Sequence, residues 1–153
     1  MLKPRKSAFT LVEIMVVASI IGLLAALALP TFMKVKMASQ NSRLANDLRV
    51  FASLIEVYLL ETGKYPEDSN SGVLPAGFAD YVKPQQWAIE PSIGGVWDVE
   101  YNSYNVVSAI GVHRYTVTDE QIEAFDQRFD DGNVSTGQYR KLDNDRYYRI
   151  VAE

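Results

Sequence analysis

The sequence predicts an α+β protein in which one long N-terminal helix packs on a small antiparallel β-sheet. Three observations lead to this prediction. Residues 14–33 contain no charged side chain, apolar side chains then recur at helical spacing from Leu44 to Tyr58, and the C-terminal half alternates apolar and polar residues as strands do. Because the chain has 153 residues, it can build one head domain in addition to this helix.

The apolar segment from Ile14 to Met33 is long enough to cross a membrane. A helix of about twenty residues spans roughly 30 Å, which is the thickness of the hydrocarbon core of a bilayer. Lys3, Arg5 and Lys6 precede the segment and favour a cytoplasmic amino terminus. The rest of the chain is therefore expected on the other side of the inner membrane.

Glu13 is the one acidic residue at the head of this apolar segment. A carboxylate in apolar surroundings requires a cationic partner. Glu13 therefore predicts a site at which this segment meets a cation. The alternative is that Glu13 merely extends to the cytoplasmic interface.

The residues that end at Glu13 also carry a family resemblance. The order Ala-Phe-Thr-Leu-Val-Glu resembles the N-terminal signature of type IV pilins and type II secretion pseudopilins. The resemblance implies that prepilin peptidase cleaves between Ala8 and Phe9 and that Phe9 is then N-methylated; Ala8 stands where the family usually has Gly. This cleavage would create a cation, the α-amino group of Phe9, four residues before Glu13. The two charges pair best between neighbouring subunits whose helices are staggered, so Glu13 is expected to be an assembly site. Pro30 matches a proline of the family's helix, and we expect it to kink the helix without ending it.

The same resemblance implies a function, a location and partners. It indicates a structural subunit of a type II secretion pseudopilus or related filament, anchored once in the bacterial inner membrane with its head in the periplasm. The subunit would polymerise through its N-terminal helix with its own kind and with other pilins or pseudopilins. Further implied partners are the prepilin peptidase, an inner-membrane assembly platform and its ATPase.

Three other functions compete with this interpretation. A major or minor type IV pilus subunit would serve adhesion, motility or DNA uptake, and a membrane-tethered binding protein would never polymerise. A secretory signal peptide is disfavoured, because its apolar stretch has about 7 to 15 residues and the stretch here is longer. The absence of cysteine favours the pseudopilin branch, since many major pilus subunits share a C-terminal disulfide loop.

These features divide the chain into four segments: a leader over 1–8, a transmembrane assembly helix over 9–33, the amphipathic half of the same helix over 34–62, and an extracytoplasmic head over 63–153. The amphipathic half is expected to bury one stripe, formed by Leu44, Leu48, Phe51, Ile55 and Tyr58. Gly63 is expected to end the helix. The stretch Gly-Lys-Tyr-Pro from Gly63 resembles the end of this helix in type II secretion pseudopilins.

The head is expected to contain a short helix, a longer helix and several strands. The predicted helices cover 78–82 and 118–129, and the predicted strands cover 97–101, 104–110, 112–117, 139–142 and 147–151. Asn102 and Ser103 are predicted to form the first tight turn. Thr118 and Gln121 have the spacing of a capping box. In the last strand, Tyr148 and Ile150 are expected to face inward and Arg149 outward.

The sequence contains no pattern typical of catalysis, so we predict that the protein is not an enzyme. It has no cysteine and a single histidine, and it lacks a phosphate-binding loop and a Gly-x-Ser-x-Gly elbow. His113 alternates with Tyr115 and Val117, which is typical of an ordinary strand residue.

Two weaker binding sites remain open from the sequence. Major pseudopilins share a calcium site in the C-terminal loop, and this chain offers oxygen donors there at Asp130, Asp131, Asn133, Asp143 and Asp145. The alternative is that these residues simply form turns. No other cofactor is expected.

The second candidate site is a set of basic side chains interleaved with tyrosines, a pattern that also occurs in proteins that bind single-stranded nucleic acid. It consists of Arg140, Lys141, Arg146 and Arg149 among Tyr139, Tyr147 and Tyr148. Strand alternation explains the same pattern. The chain is acidic, with a formal charge of −4 that becomes more negative when the basic leader is removed. A nucleic-acid partner is therefore not expected.

Overall fold

The computed structural model describes residues 9–153, and their longest element is helix α1, Leu11–Thr62. The chain divides after Met37 into two units, which are described separately. After α1 the elements are α2 (Pro84–Trp87), β1 (Val96–Ser103), β2 (Val106–His113), α3 (Asp119–Phe129), β3 (Tyr139–Asp143) and β4 (Arg146–Ala152). This order of one long helix and a four-stranded antiparallel sheet confirms the predicted α+β class.

The N-terminal unit exposes an apolar surface along its helix. Its large apolar side chains from Phe9 to Val35 have between 52% and 82% of their surface exposed. By length and composition, α1 is the one helix of the described chain that can cross a membrane. The helix continues through Pro30 without a break. An apolar surface this continuous is unfavourable in water, so this unit requires lipid or other apolar helices around it.

The part of α1 in the head unit buries the predicted apolar stripe. All five of its residues are buried: Leu44, Leu48, Phe51, Ile55 and Tyr58. Phe51 packs edge-on against Trp87 and Trp97, with ring centroids 5.5 and 4.8 Å away. Edge-to-face aromatic contacts of this kind add to the free energy gained by burying the rings. The stripe therefore fixes the helix on the sheet.

Gly63 ends α1 as predicted. Its N–H donates to the carbonyl of Leu59 at 2.8 Å, and its φ of +74° lies in the left-handed region that favours glycine. The short helix expected over 78–82 is a single 3₁₀ turn, Phe78–Asp80. Phe78 packs edge-on against Tyr58, with ring centroids 5.8 Å apart. This turn therefore covers the end of the buried stripe.

The sheet has the order β1-β2-β4-β3, and all its strands are antiparallel. The β1–β2 turn lies at Tyr104 and Asn105, because Ser103 pairs with Val106. The prediction of a turn at Asn102 and Ser103 is therefore wrong by two residues. Tyr104 and Asn105 both have positive φ, at 50° and 61°, as the tight turn between two twisted strands requires.

Strand β2 is one strand where the sequence predicted two. Gly111 lies between the predicted strands over 104–110 and 112–117, and it pairs with Asp98 and Tyr148 in the middle of the sheet. A Cβ at Gly111 would lie 2.4 Å from the carbonyl oxygen of Tyr147 and 2.4 Å from the Tyr148 side chain. Glycine is present because the neighbouring strand approaches closely, and the backbone stays extended.

Tyr148 and Ile150 of β4 are buried, as predicted, but Arg149 does not face outward. Tyr147 packs in the main core with the helices, whereas Tyr148 and Ile150 pack on the opposite face in a smaller cluster. Arg149 shares the face of Tyr147 and pairs with Ile110 of the main core. Two of its guanidinium nitrogens, Nε and Nη1, are buried and have no partner among residues 9–153. The alternation of residues along β4 could not indicate which face packs against the helices, because both faces of this strand carry buried side chains.

Helix α3 begins after Thr118, as predicted, but without the expected capping box. The Thr118 side chain makes no cap hydrogen bond, and the Gln121 side chain points to α1. Gln121 Nε2 donates to the Asn41 side-chain oxygen at 3.0 Å. The buried partner on α1 therefore replaces the local interaction.

Both edges of the sheet are covered by loops. Gly72 donates its N–H to the Trp97 carbonyl at 2.8 Å along β1. Along β3, Lys141 donates its N–H to the Val134 carbonyl at 2.7 Å, and Tyr139 donates its N–H to the Asp130 carboxylate at 2.6 Å. Covered edges oppose pairing with strands of other chains.

Candidate functional site

Thr10 and Glu13 organise the start of α1. The backbone N–H and the hydroxyl of Thr10 donate to Glu13 Oε2 at 2.8 and 2.7 Å, and the Glu13 N–H donates back to the Thr10 hydroxyl at 3.3 Å. This is a capping box, which satisfies N–H groups that the first helical turn leaves free. The spacing Thr-x-x-Glu is a known signal for it, so the sequence could have predicted this contact.

The capping box holds the Glu13 carboxylate at the positive end of the helix dipole. Both Thr10 donors use the same oxygen, Oε2. Within the described residues, no hydrogen bond reaches the other oxygen, Oε1, and Glu13 is exposed. A cation from outside the chain can therefore reach this carboxylate without breaking the cap.

Two other predicted site residues lie at the start and in the middle of this helix. Phe9 is 82% exposed. Ala8 and the remainder of the leader fall outside the described residues, so cleavage before Phe9 and its methylation stay predictions. Pro30 is inside α1, and its role as a kink also stays a prediction.

Three aspartates at the end of α3 form a candidate metal site. Asp126, Asp130 and Asp131 each offer a carboxylate oxygen, and these oxygens lie within 4.8 Å of one another. Asp126 is fully buried; the Tyr147 hydroxyl donates to its Oδ2 at 2.9 Å, whereas its Oδ1 has no partner in the described part of the chain. Burial raises the pKa of Asp126, and the charges of the other two aspartates raise it further. Such clustered hard oxygens suit calcium.

The other predicted calcium ligands have different neighbours. Asn133 donates its N–H to Asp131 Oδ1 at 2.8 Å and so shapes the loop beside the candidate site. Asp143 and Asp145 lie at the β3–β4 turn and are not members of the aspartate group. The sequence did not indicate Asp126, because a single aspartate within a helical pattern resembles an ordinary surface residue.

A second polar cluster is buried on the sheet face that carries Tyr148. Arg146 Nη1 donates to Asp98 Oδ2 at 3.0 Å and to Glu100, and the Tyr148 hydroxyl donates to the same Asp98 oxygen at 2.7 Å. Asp98 and Glu100 are only 2% and 4% exposed. Burial raises the pKa of Glu100, and the nearby charge of Asp98 contributes to this rise. Two buried carboxylates thus share one guanidinium.

The cations of the predicted nucleic-acid pattern engage groups of the head itself. Three of them pair with carboxylates: Arg140 with Glu153, Lys141 with Asp119, and Arg146 with Asp98 and Glu100. The fourth, Arg149, lies over the ring of Tyr139 at 5.9 Å. Strand pairing and ion pairing therefore account for the pattern.

Comparison with known proteins points to the same N-terminal feature. Residues 3–29 match the family described as "Prokaryotic N-terminal methylation motif". The chain is 36% identical over 67 residues to the type IV major pilin protein PilA of Myxococcus xanthus. This match covers 44% of this chain and 30% of that protein. It is 36% identical over 66 residues to the type II secretion system core protein G of Aeromonas hydrophila, covering 43% of this chain and 46% of that protein. Both matches thus span less than half of these relatives.

A third relative matches over most of its length. The type IV major fimbrial protein FimA of Dichelobacter nodosus is 30% identical over 115 residues, which is 71% of this chain and 72% of that protein. No solved structure matches significantly. The methylation motif, the presence of both a long N-terminal helix and an antiparallel sheet, and this extended match agree. The chain therefore belongs to the family of type IV pilins and type II secretion pseudopilins.

Proposed function

We propose that this chain is a structural, non-catalytic subunit of a type II secretion pseudopilus or a related type IV pilus-like filament. It is inserted once in the bacterial inner membrane, with a cytoplasmic amino terminus and a periplasmic head. Prepilin peptidase removes residues 1–8, and Phe9 is then methylated. An inner-membrane platform and its ATPase drive assembly, because the sequence holds no nucleotide-binding motif of its own.

The Thr10–Glu13 capping box is the observation that best supports this proposal. It holds the carboxylate in place and leaves Oε1 accessible. After cleavage, the α-amino group of Phe9 in a neighbouring subunit is a cation, opposite in charge to the Glu13 carboxylate and at the same end of the helix. In apolar surroundings a mispaired charge is expensive, so this pairing favours one axial stagger between neighbouring helices.

A type IV pilus subunit is the second candidate function. The match to the fimbrial protein FimA covers 72% of that protein, a larger share than the 46% of the first protein G relative. Both candidates require the same processing and the same helix, so the assembly test below applies to each. The tethered binding protein differs from them, because it requires neither processing nor polymerisation.

The test combines mass spectrometry of the mature amino terminus with assays of membrane insertion and filament yield. Wild type should begin at methylated Phe9. Glu13→Gln should still insert and be processed, but its filament yield should fall about tenfold or more, because a lost charge pair in apolar surroundings exceeds the roughly 1.4 kcal/mol of a tenfold change. Glu123→Gln, which neutralises an exposed glutamate of α3, is the matched control and should assemble normally.

Two results would contradict the proposal. One is an intact leader on the protein isolated from membranes. The other is a Glu13→Gln variant that forms filaments as well as wild type.

We also propose that Asp126, Asp130 and Asp131 bind calcium in the head. The buried, unpartnered Oδ1 of Asp126 supports this proposal, because an unpaired acceptor in the interior is costly unless a cation or donor reaches it. A bound calcium ion would supply charge that stabilises the loop after α3. It would not take part in any reaction.

Thermal unfolding of the full chain in detergent, with calcium or with chelator, tests the site. Calcium at 100 times its Kd would stabilise wild type by about 2.7 kcal/mol. Asp131→Asn, a change at an exposed residue, should remove this effect, whereas Asp143→Asn should keep it. Equal unfolding temperatures of wild type with calcium and with chelator would refute the site.

A further inference from the structure

Residues 68–72, called the strap below, run beside β1. Gly72 donates its N–H to the Trp97 carbonyl at 2.8 Å, and the Trp87 indole donates to the Gly72 carbonyl at 3.2 Å. The strap and the sheet line a shallow surface cleft of about 300 Å³ whose lining includes Asp98, Glu100 and Arg146. The strap therefore lies over the buried polar cluster.

The Ser71 hydroxyl joins the strap to two strands. It donates to Asp98 Oδ2 at 2.9 Å and lies 2.6 Å from Nδ1 of His113. A hydroxyl has one hydrogen, and here the carboxylate accepts it. While Ser71 donates to Asp98, its contact with Nδ1 is a hydrogen bond when Nδ1 carries a hydrogen and donates to the Ser71 oxygen.

The other ring nitrogen of His113 faces a carboxylate. Nε2 lies 3.4 Å from Oδ2 of Asp145, at the β3–β4 turn. If Nε2 carries a proton as well, the contact is an ion pair. If Nε2 is bare, its lone pair faces a negative charge. In the alternative neutral tautomer, with its hydrogen on Nε2, Nδ1 can only accept, so Ser71 must turn its hydroxyl hydrogen away from Asp98 and towards the ring. The doubly protonated ring is the form that pairs with Asp145 and also leaves the Ser71–Asp98 hydrogen bond in place.

The remaining charges around His113 do not replace this arrangement. Arg146 is its partner on β4 in the strand register, but Arg146 is bound by Asp98 and Glu100. Arg114 follows His113 and is exposed. Asp68 of the strap lines the same cleft, and burial together with the charge of Asp98 raises its pKa.

We propose that Ser71, His113 and Asp145 form a proton-dependent clasp, which fastens the strap to the sheet when His113 is doubly protonated and loosens it when His113 is neutral. Imidazoles change charge between about pH 5 and 8, a range in which most other side chains do not. Loosening the strap would expose the buried carboxylates of Asp98 and Glu100 to solvent. The clasp acts within the head and does not depend on filament assembly.

The test is a pH titration of the full chain in detergent micelles by NMR, followed at the indole N–H of Trp87. This group reports on the strap because it donates to Gly72. The chain has two tryptophans and a single histidine, so the signal and the titrating ring are both easily assigned. Wild type should show one transition between about pH 5 and 8. His113→Gln should lose it.

Two further variants sharpen the titration. Asp145→Asn removes the ion pair, so its transition should move to lower pH. Asp143→Asn is the matched control in the same turn and should behave as wild type. A Trp87 signal that does not change over this pH range in wild type would overturn the proposal, and so would a transition that persists in His113→Gln.

Discussion

Asn41 of α1 and Gln121 of α3 form a reciprocal pair of buried hydrogen bonds. The Asn41 side-chain nitrogen donates to the Gln121 carbonyl at 3.2 Å, and the Gln121 side-chain nitrogen donates to the Asn41 side-chain oxygen at 3.0 Å. Both residues are at least 94% buried. Because buried amides must be paired, this contact allows one position of α3 on the long helix and opposes others.

The first prediction concerns this pair. Asn41→Ala should lower the free energy of unfolding by about 1 to 3 kcal/mol, because it removes the buried donor to the Gln121 carbonyl and leaves the Gln121 side-chain nitrogen only the longer contact with Gln40, at 3.4 Å. Asn46→Ala, at an exposed position of the same helix, should change it by no more than about 0.5 kcal/mol. Urea unfolding of the full chain in detergent, followed by circular dichroism, measures both. Equal losses in the two variants would contradict the role of the pair.

The Asn41–Gln121 contact also shows why the sequence predicted the elements better than their contacts. The start of α3 follows from Thr118 and the acidic residues after it, which are local signals. The partner of Gln121 lies 80 residues away, and no local pattern indicates it. The spacing of Thr118 and Gln121 predicted a capping box, but the buried tertiary partner on α1 replaced it.

The second prediction separates the two acids that share Arg146. Asp98 Oδ2 accepts hydrogen bonds from Ser71, Arg146 and Tyr148, so Asp98→Asn should cost about 3 to 5 kcal/mol of stability by breaking a buried ion pair. Glu100→Gln should lower the stability much less, because Asp98 still accepts its three hydrogen bonds and still forms an ion pair with Arg146. Thermal unfolding of the two variants at neutral pH compares them. A greater loss for Glu100→Gln would contradict this ranking.

The third prediction concerns pH. Burial raises the pKa of Glu100 above its ordinary value of 4.5, so the folded state holds this proton at pH values where the unfolded state has lost it. The contribution of Glu100 to stability therefore decreases as the pH rises through this window. The unfolding temperature of Glu100→Gln relative to wild type should increase from pH 4 to 7. A constant difference would contradict the shift.

The fourth prediction concerns Gly111. A Cβ at this position would lie 2.4 Å from the Tyr147 carbonyl oxygen and 2.6 Å from the Tyr148 Cα, both on the adjacent strand. Gly111→Ala should therefore force β2 and β4 apart and destabilise the head by about 3 kcal/mol or more. Gly22→Ala, where nothing lies within 4 Å, is the control and should leave unfolding of the head unchanged. Normal stability of Gly111→Ala would show that the strands can separate easily.

Gly111 and Asp126 illustrate what the sequence could not indicate. The sequence predicted separate strands on either side of Gly111, because the close approach of β4 that requires glycine there is a property of the assembled sheet. Asp126 became a candidate ligand only when α3 packed on Tyr147 and buried one of its oxygens. The start of α1 differs from both: Thr10 and Glu13 contact each other within one helical turn, so their local spacing could have predicted this capping box.

The last prediction tests whether the Thr10 hydroxyl helps to hold the assembly carboxylate. Thr10→Ala removes one of the two donors to Glu13 Oε2 and the acceptor for the Glu13 N–H. Less of the carboxylate is then satisfied in apolar surroundings, so filament yield should fall while membrane insertion persists. Thr10→Ser keeps the hydroxyl and should assemble nearly as wild type. Filaments sheared from cells and quantified by immunoblot provide the measurement. If Thr10→Ala assembles as well as Thr10→Ser, the hydroxyl has no part in positioning Glu13, and the remaining backbone donor is sufficient.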